Sequence, residues 1–385
     1  MRKEKDGYMS NSKIRVVQVV GQMNGGGVES TIMSHFRFID RDRFHFDFVA
    51  NVDSTHIPYD EIAELGGTVH TVHPYRSFSR YNQDCVRLFE ELRPTIVHAN
   101  VNALSVFPLH AAKQAHVPIR IAHSHSTASP KEVSKTVVKD LLRPCSRMFP
   151  THLAACGELS ARWLFGNTAV NNGRVKLIRN AVDLERFSDD EGLRRRIREE
   201  LGVGDAFVIG QIGRLCYQKN QEFSLRVFAE LLKIHTNAVL VLVGGGSERE
   251  QLEQEARSLG VFDKVKFLGI RKDVPALYNA FDVMVFPSHY EGLPVSLIEA
   301  QACGCPSLVS DVVTKEVQIV PGMIESLPLN AGAAMWAKAL LSLGLRTRDA
   351  RSAGGRFLKN AGYDIRDSSK DLGDWYETLI HDIAK

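Results

Sequence analysis

Short apolar runs rich in β-branched residues alternate along the chain with stretches of helical periodicity. Several of the runs are continuously apolar, which is typical of strands in a parallel sheet that helices cover on both faces. Strands that alternate with helices predict βαβ units with right-handed crossovers. The predicted strands are 14–20, 44–50, 68–72, 95–100, 119–125, 152–156 and 175–178, followed by 207–213, 238–244, 265–269, 283–288 and 306–310.

The alternation is interrupted once, by the polar and charged segment 180–205. We interpret this segment as a linker with a short helix, so the chain divides into two doubly wound α/β domains, 1–185 and 186–360. A final helical segment, 361–385, carries apolar residues at helical spacing. The linker also contains four arginines that we predict to lie on a solvated helix face: Arg194, Arg195, Arg196 and Arg198.

Composition narrows the class of protein. The 385 residues are 44% hydrophobic and 24% charged, and the net charge of +3 is too small to indicate a nucleic-acid partner. No apolar run reaches the ~20 residues that span a bilayer, and the charged N-terminus lacks the apolar core of a signal peptide. Six cysteines do not form a disulfide framework in a chain of this length, so we expect a cytoplasmic protein.

The stretch HYEGLPVSLIEAQACGCP (289–306) places two carboxylates on either side of a predicted helix start. Pro294 fits the first helical position, and the N–H groups around Gly292 and Leu293 would point out of a helix end that suits a phosphate. Glu291 would lie beside whatever the phosphates carry. Glu299, in the second turn, would accept hydrogen bonds from hydroxyls such as those of a ribose. The alternative is two solvated carboxylates near a helix cap.

This stretch resembles the Glu-x7-Glu signature of the retaining GT-B glycosyltransferases, specifically of glycosyltransferase family 4. FVIGQIGRLCYQKNQEFSLRVF resembles the strand, Gly-Arg and Lys-Asn segment of that family, and VLVGGGSEREQLE resembles its glycine-rich turn. LIRNAVDLERF resembles the interdomain Asn-Gly-Val-Asp motif, although Ala181 stands where glycine is usual. SDVVTKEV, with Trp336 further along, resembles the exopolysaccharide or capsule type within the family.

The resemblance implies two Rossmann-like domains that face each other across a cleft, with segment 361–385 packing back on the first domain. It implies that Arg214 and Lys219 bind a diphosphate, which two cations at one strand end can neutralise. An exposed pair on a surface turn is the alternative. Backbone atoms around Ile270 and Arg271 would meet the base, for which uracil is expected. The resemblance also implies that the leaving group or donor sugar contacts Glu291, Gly292, Leu293 and Pro294, and that the ribose contacts Glu299.

Two further strand ends carry candidate residues. GQMNGGGVEST (21–31) is either a phosphate-cradling turn or a tight crossover, and it lacks the G-x-G-x-x-G spacing of a nicotinamide dehydrogenase. The resemblance places this loop over the donor phosphates and near the acceptor, which implies donor contacts for Gly26 and Gly27. His123 and His125 end another strand on one face, where a structural role is the alternative. The resemblance favours His125 as a contact of the donor sugar, with His123 as second candidate.

A basic segment, KEVSKTVVKDLLRPCSRMF (131–149), has Lys131, Lys135 and Lys139 at helical spacing beside apolar residues. It suits either an ordinary surface helix or a helix that rests on an anionic membrane. The second alternative would place the protein peripherally on the inner face of the cell membrane.

Together with these features, the resemblance implies a retaining glycosyltransferase that moves a sugar from a UDP-sugar to a hydroxyl acceptor. The expected acceptor is a lipid-linked glycan intermediate or oligosaccharide in exopolysaccharide or capsule synthesis. No Asp-x-Asp motif ends a strand, so metal-independent chemistry is expected, with cations in the place of a metal. The alternatives are a UDP-sugar epimerase on the same fold and a catalytically degenerate binding subunit of a transferase complex. The residues expected to be catalytic are Glu291, His125, Arg214 and Lys219.

Overall fold

The computed structural model describes residues 13–126, 141–346 and 354–383. The basic residues Lys131, Lys135 and Lys139 lie outside the described residues. Within these ranges the strands form two wholly parallel sheets, one in each half of the chain.

The first sheet has seven strands in the described part of the chain, in the spatial order β3-β2-β1-β4-β5-β6-β7. In chain order they are β1 (Ile14–Gly21), β2 (Phe44–Asn51), β3 (Thr68–Val72), β4 (Ile96–Ala99), β5 (Ile119–Ser124), β6 (His152–Ala155) and β7 (Val175–Leu177). The helices of this half are α1 (Gly27–Phe38), α2 (Tyr59–Glu64), α3 (Phe78–Leu92), α4 (Val106–Gln114), α5 (Glu158–Phe165) and α6 (Asn167–Asn171).

The second sheet has six strands within the described ranges, in the order β10-β9-β8-β11-β12-β13. They are β8 (Phe207–Ile212), β9 (Ala238–Val243), β10 (Val265–Gly269), β11 (Val283–Phe286), β12 (Ser307–Ser310) and β13 (Ile324–Leu327). The helices are α7 (Glu191–Glu200), α8 (Gln221–Ile234), α9 (Arg249–Ser258), α10 (Val274–Ala280), α11 (Val295–Ala302), α12 (Ala333–Arg346), α13 (Gly354–Asn360) and α14 (Ile365–Ile383). All twelve predicted strands are present, and the short edge strand β13 was not predicted.

Hydrophobic core lies on both faces of the first sheet, and alternate side chains of β2 form part of one of these two layers. Phe44, Phe46 and Phe48 point to the same face and are fully buried. Phe36 of α1 packs between two of them, with ring centroids 5.4 Å from Phe46 and 5.1 Å from Phe48. Tyr376 of α14 covers Phe44 at 5.8 Å. The last helix of the chain therefore completes the core of the first sheet.

Two stretches of chain run side by side between the halves of the molecule. The Val182 N–H donates to the Tyr363 carbonyl, and the Ile365 N–H donates to the Val182 carbonyl. Arg366 adds a hydrogen bond to Asp183, with Nη1 and Oδ1 3.0 Å apart. The linker and the segment that leads into α14 thus form one hydrogen-bonded connection.

The prediction that the four linker arginines share a solvated face is wrong for two of them. Arg195 and Arg196 are exposed, but Arg194 and Arg198 are 6% and 8% exposed. Arg194 Nη2 lies 2.5 Å from Asp282 Oδ1, and Arg198 Nη1 lies 3.2 Å from Oδ2. Burial alone would raise the pKa of Asp282, but the two guanidinium groups and the Val208 N–H outweigh it and lower that pKa. The two arginines anchor α7 to the second sheet.

Asp282→Asn is expected to lower the free energy of unfolding by about 3–5 kcal/mol, because it leaves two buried guanidinium groups without their carboxylate. Urea unfolding monitored by circular dichroism measures the loss. The matched control is Arg196→Ala on the exposed face of the same helix, which should stay within about 0.5 kcal/mol of wild type. Equal effects of the two substitutions would contradict an anchoring role for Asp282.

Candidate active site

The carboxyl ends of the strands in the two sheets face a common cleft of about 460 Å³. The first half contributes the loop after β1 and residues that follow β2. The second half contributes the ends of β8, β9 and β10, including Arg214 and Ile270. Lining residues from the first half are Asn24, Gly25, Thr55 and His56, and the second half adds Gly213 and Gly244–Ser247.

Lys219 and Glu291, which the sequence placed at two different strand ends, form an ion pair. Lys219 Nζ lies 2.7 Å from Glu291 Oε1, and the side chains are 16% and 7% exposed. The ammonium also lies 4.6 Å from the centroid of the Phe286 ring. An anionic ligand that approaches this site would therefore contact the Lys219 ammonium while that group is already paired with the Glu291 carboxylate.

The loop from Glu291 to Pro294 presses against the first half of the molecule. Helix α11 begins at Val295, and Pro294 has extended backbone at the N-cap, so the prediction that Pro294 is the first helical residue is wrong by one position. A Cβ added to Gly292 would lie 2.3 Å from the carbonyl oxygen of His125. The Leu293 carbonyl accepts a hydrogen bond of 2.6 Å from Asn180 Nδ2. The loop thus packs closely against the His125 backbone and is hydrogen-bonded to the Asn180 side chain.

Glu299 lies at the fifth position of α11 and is partly buried. Burial raises the pKa of Glu299 to about 7, although the hydrogen bond from Tyr278 and the charge of Arg186 act in the opposite direction. The Tyr278 hydroxyl donates to Glu299 Oε2 at 2.9 Å. The carboxyl group is therefore poised to change its ionisation near neutral pH.

Arg214, Ile270 and Arg271, which the sequence assigns to donor binding, all line the cleft. Arg214 is exposed, and Ile270 is 59% exposed. The Arg271 side chain is turned toward Asp273 and Glu200, with Nη2 2.8 Å from Glu200 Oε1. Of these three residues, Arg214 is thus the one that offers its guanidinium to the cleft, whereas Ile270 offers an apolar surface.

His123 and His125 are buried at the end of β5, with ring centroids 3.8 Å apart. His125 Nε2 pairs with Asn100 Oδ1 at 3.0 Å, and His123 Nδ1 pairs with His98 Nε2 at 3.0 Å. Burial lowers the pKa of His125 to about 3 and that of His123 well below its usual range. Both rings are neutral at pH 7, so they offer hydrogen bonds rather than charge.

A chain of buried polar groups connects these histidines to the last helix. The hydroxyl of Tyr376, in α14, is hydrogen-bonded to His98 Nδ1 at 2.7 Å and accepts a hydrogen bond from Gln18 Nε2 at 3.1 Å. The Gln18 side-chain oxygen in turn accepts from Asn100 at 2.9 Å. Nothing local in the sequence indicates this role for Tyr376, because its partners His98 and Gln18 lie more than 270 positions away.

The sequence also missed a contact between the two halves. The carboxylate of Glu316 accepts from the backbone N–H groups of Glu158 at 2.8 Å and Leu159 at 3.1 Å. These groups open helix α5, and a carboxylate there is favoured by the positive end of the helix. The quoted segment SDVVTKEV contains Glu316, but nothing local in it reveals a partner in the other half.

Comparison with known proteins assigns the chain to a family. Residues 25–186 match the family described as Glycosyltransferase Family 4, and residues 194–326 match the family described as Glycosyl transferases group 1. EpsF of Bacillus subtilis strain 168, a protein assigned to the glycosyltransferases, is 32% identical over 364 residues, which are 93% of this chain and 95% of EpsF. This chain belongs to glycosyltransferase family 4.

Other relatives of this family 4 glycosyltransferase agree with the assignment. The UDP-Gal:alpha-D-GlcNAc-diphosphoundecaprenol alpha-1,3-galactosyltransferase of Escherichia coli is 26% identical over 319 residues, which cover 79% of this chain and 81% of that enzyme. HepE of Anabaena, in a crystal structure with UDP-glucose, superposes with a TM-score of 0.79 at 19% identity over 94% of this chain and 99% of HepE. The predicted GT-B fold is confirmed. Among the described residues, no helix is both long enough and apolar enough to cross a bilayer.

Proposed function

We propose that this glycosyltransferase moves a sugar from a UDP-sugar to a lipid-linked glycan intermediate of exopolysaccharide or capsule synthesis, with retention of configuration. The observation that carries the proposal is the placement of Glu291 and Glu299 on either side of the start of α11, with Lys219 held on Glu291. The fold shared with HepE, which was crystallised with UDP-glucose, supports the nucleotide. The diphosphoundecaprenol acceptor in the name of the Escherichia coli relative supports the class of acceptor.

In this proposal the second domain holds the leaving diphosphate. Arg214, Lys219 and the first N–H groups of α11 stabilise the negative charge that develops as the bond to the sugar breaks. The acceptor hydroxyl attacks from the same face and passes its proton toward the leaving phosphate. Glu291 and His125 orient the donor sugar, and Glu299 receives the ribose hydroxyls. Because two cations are available, we expect no requirement for a metal ion.

Peripheral membrane contact is part of the proposal. At the described end of the basic segment, Leu141 is 74% exposed and Met148 is 62% exposed, beside the exposed Arg143 and Arg147. Apolar side chains next to basic ones suit an anionic lipid surface. Co-sedimentation with anionic vesicles, but not with neutral ones, is the expected result.

A transfer assay with a panel of UDP-, ADP- and GDP-sugars and a diphosphate-linked lipid acceptor tests the function. Transfer from a UDP-sugar that persists in EDTA, with retained configuration in the product by NMR, is expected. An epimerase would convert the UDP-sugar without any acceptor. A binding subunit would be stabilised by UDP but would show no turnover. Loss of transfer in EDTA that Mg²⁺ restores would contradict the metal-free site.

The raised pKa of Glu299 predicts that UDP binds more tightly at pH 8 than at pH 6. Ribose hydroxyls donate to the ionised carboxylate, so binding favours the form present above a pKa of about 7. The free energy of unfolding of the ligand-free protein should change in the opposite direction and fall as the pH rises. Since the folded pKa is raised above the ordinary 4.5, the protonated form is favoured by folding, and that contribution is lost as pH rises to about 7.

Calorimetric titration with UDP across this pH range measures the effect. The control is Glu299→Gln, which keeps the shape of the side chain and cannot ionise. The UDP phosphate itself titrates near pH ~6, but it does so equally with both proteins. Identical pH profiles for wild type and Glu299→Gln would refute a ribose contact by the Glu299 carboxylate.

A further inference from the structure

Asn100, directly after β4, fixes the ring of His125 because its own amide has only one allowed orientation. Its Nδ2 donates to the backbone carbonyl of His98 at 3.2 Å, and its Oδ1 lies 3.0 Å from His125 Nε2. A carbonyl oxygen only accepts, so the amide nitrogen must face it and the amide oxygen must face the imidazole. These partners assign the ring proton of neutral His125 to Nε2 and leave the lone pair on Nδ1.

Gln18 of β1 extends this order to the last helix. The Asn100 amide nitrogen also donates to Gln18 Oε1 at 2.9 Å, so the other end of the Gln18 amide is the donor toward the Tyr376 hydroxyl, 3.1 Å away. Since that hydroxyl accepts from Gln18, its single hydrogen points to its other partner, His98 Nδ1, at 2.7 Å. All four side chains are buried, so bulk water does not compete for these hydrogen bonds.

A second branch leads from the same hydroxyl back to His125. With Nδ1 accepting from Tyr376, the neutral ring of His98 donates from Nε2 to His123 Nδ1 at 3.0 Å. The ring of His123 packs against that of His125, with centroids 3.8 Å apart and planes tilted by 32°. Tyr376 is therefore the point at which a hydrogen-bonded branch and a packed branch meet, and both branches end on His125.

The backbone of His125 is fixed separately, at the boundary between the two halves. Its N–H donates to Asn102 Oδ1 at 2.6 Å. Its carbonyl oxygen lies against the loop that carries Glu291, where a Cβ on Gly292 would approach it to 2.3 Å. What the two branches from Tyr376 decide is therefore the orientation and the tautomer of the imidazole.

Neutral rings are a condition for such a role. Burial lowers the pKa of His98 and of His125 to about 3, and that of His35, on α1 beside them, to about 4. His123 is neutral for the same reason. Because none of these rings is charged at pH 7, hydrogen bonds decide which nitrogen of each ring donates and which accepts.

We propose that Tyr376 is a positioning residue for sugar transfer, because its hydroxyl holds His125 in one orientation and as the Nε2–H tautomer. The inference rests on the proposed function, in which His125 orients the donor sugar. It gives the last helix a role in the active site, in addition to its place in the core of the first sheet. A ring that populated both tautomers would offer the sugar a mixture of donors and acceptors.

Tyr376→Phe tests this role, because it keeps the ring that covers Phe44 and removes only the hydroxyl. Gln18 then loses its acceptor and His98 loses its donor, so both side chains can reorient. The kcat for transfer should fall about tenfold, which is the scale of one lost hydrogen bond. The affinity for UDP should not change, because the proposed nucleotide contacts lie within the second domain.

NMR of protein with ¹⁵N-labelled histidine measures the tautomers directly. In wild type we expect His98 and His125 each to give the signals of one Nε2–H tautomer, and in Tyr376→Phe we expect mixed tautomers. His98→Gln and His125→Gln assign the signals by difference. Asn100→Ala is a second variant, which interrupts the hydrogen-bonded branch next to His125 and should also disturb the His125 tautomer and lower kcat about tenfold.

The matched control is Tyr81→Phe, which removes the hydroxyl of another buried tyrosine in the first half, beside Cys85 and outside the histidine cluster. Urea unfolding should show a loss of stability in both tyrosine variants, but only Tyr376→Phe should change kcat and the histidine signals. Equal losses of kcat in the two variants would reduce Tyr376 to a structural residue and overturn the proposal. A wild-type kcat in Tyr376→Phe would overturn it as well, whatever the histidine signals show.

The two levels of inference fail in different ways. If the wild type transfers no sugar from any UDP-sugar, the proposed function fails, but the NMR signals still report on His125 without any turnover. If the wild type transfers normally and the His125 tautomer is unchanged in Tyr376→Phe and in Asn100→Ala, only the role of Tyr376 is wrong.

Discussion

Replacing Gly292 by alanine is expected to lower kcat by roughly a hundredfold, which is the scale of loss that a displacement of about 1 Å produces in a catalytic site. The new Cβ would lie 2.3 Å from the His125 carbonyl oxygen and 2.9 Å from the Ser126 Cα. Both are backbone atoms, so no rotamer change relieves the clash. The loop that carries Glu291 must move away from the first domain, and the Asn180–Leu293 hydrogen bond is lost with it.

The affinity for UDP should remain close to that of wild type in Gly292→Ala, because the proposed nucleotide contacts lie within the second domain. Steady-state kinetics and UDP calorimetry separate these two effects. Gly355→Ala is the matched control, since a Cβ there meets nothing within 4 Å. Wild-type kcat in Gly292→Ala would mean that the close approach of the two halves is not needed for transfer.

The periodicity of the chain predicted the sheets well because most strands are buried on both faces. β9 and β11, for example, are continuously apolar and therefore recognisable without any partner. The edge strand β13 was missed because Ile324–Leu327 is only four residues long and carries Glu325 and Ser326. Its identity as a strand depends on pairing with β12, which a local pattern does not contain.

The charged residues of the site show the limit of local reasoning. Lys219 and Glu291 were each predicted from the end of a strand, but their ion pair joins positions 72 apart. Arg194 and Arg198 were misread for the same reason, because Asp282 is more than 80 positions away. Glu29 is different. The Gly26 N–H donates to the Glu29 carboxylate at 2.8 Å, and the two residues have the spacing of the glutamate half of a capping box, so this contact was within reach of the sequence.

The structure also changes how the opening of α11 is understood. With Pro294 at the N-cap, Glu291 lies four residues before the first helical residue, and Glu299 lies at the fifth helical position. The two carboxylates still lie on opposite sides of the helix start. Their environments differ, because Glu291 forms an ion pair with Lys219, whereas Glu299 accepts a hydrogen bond from the Tyr278 hydroxyl.

Glu291→Gln is expected to lower kcat about tenfold or more while the affinity for UDP stays at or slightly above that of wild type. The substitution keeps the shape of the side chain and removes its charge. An interaction with the donor sugar that strengthens in the transition state is lost in kcat rather than in nucleotide binding. Lys219 is no longer neutralised by a carboxylate, which favours the diphosphate.

Glu299→Ala is expected to have the opposite pattern, with about tenfold weaker binding of UDP itself. A ribose contact exists before, during and after the chemical step, so its loss appears even when no sugar is attached to the nucleotide. Tyr278→Phe is the matched control, because it removes the hydroxyl that holds Glu299 without removing the carboxylate. Its UDP affinity should lie between those of wild type and Glu299→Ala.

UDP calorimetry and steady-state kinetics on the three variants decide between the two assignments. Glu291 lies 2.7 Å from Lys219, the cation to which we assign the diphosphate, and this pairing supports the proposal that Glu291 lies on the phosphate and sugar side. Glu299 lies further along the helix, on the side of Tyr278. If Glu291→Gln loses UDP binding and Glu299→Ala keeps it, the roles are reversed and the donor lies in the opposite direction along α11.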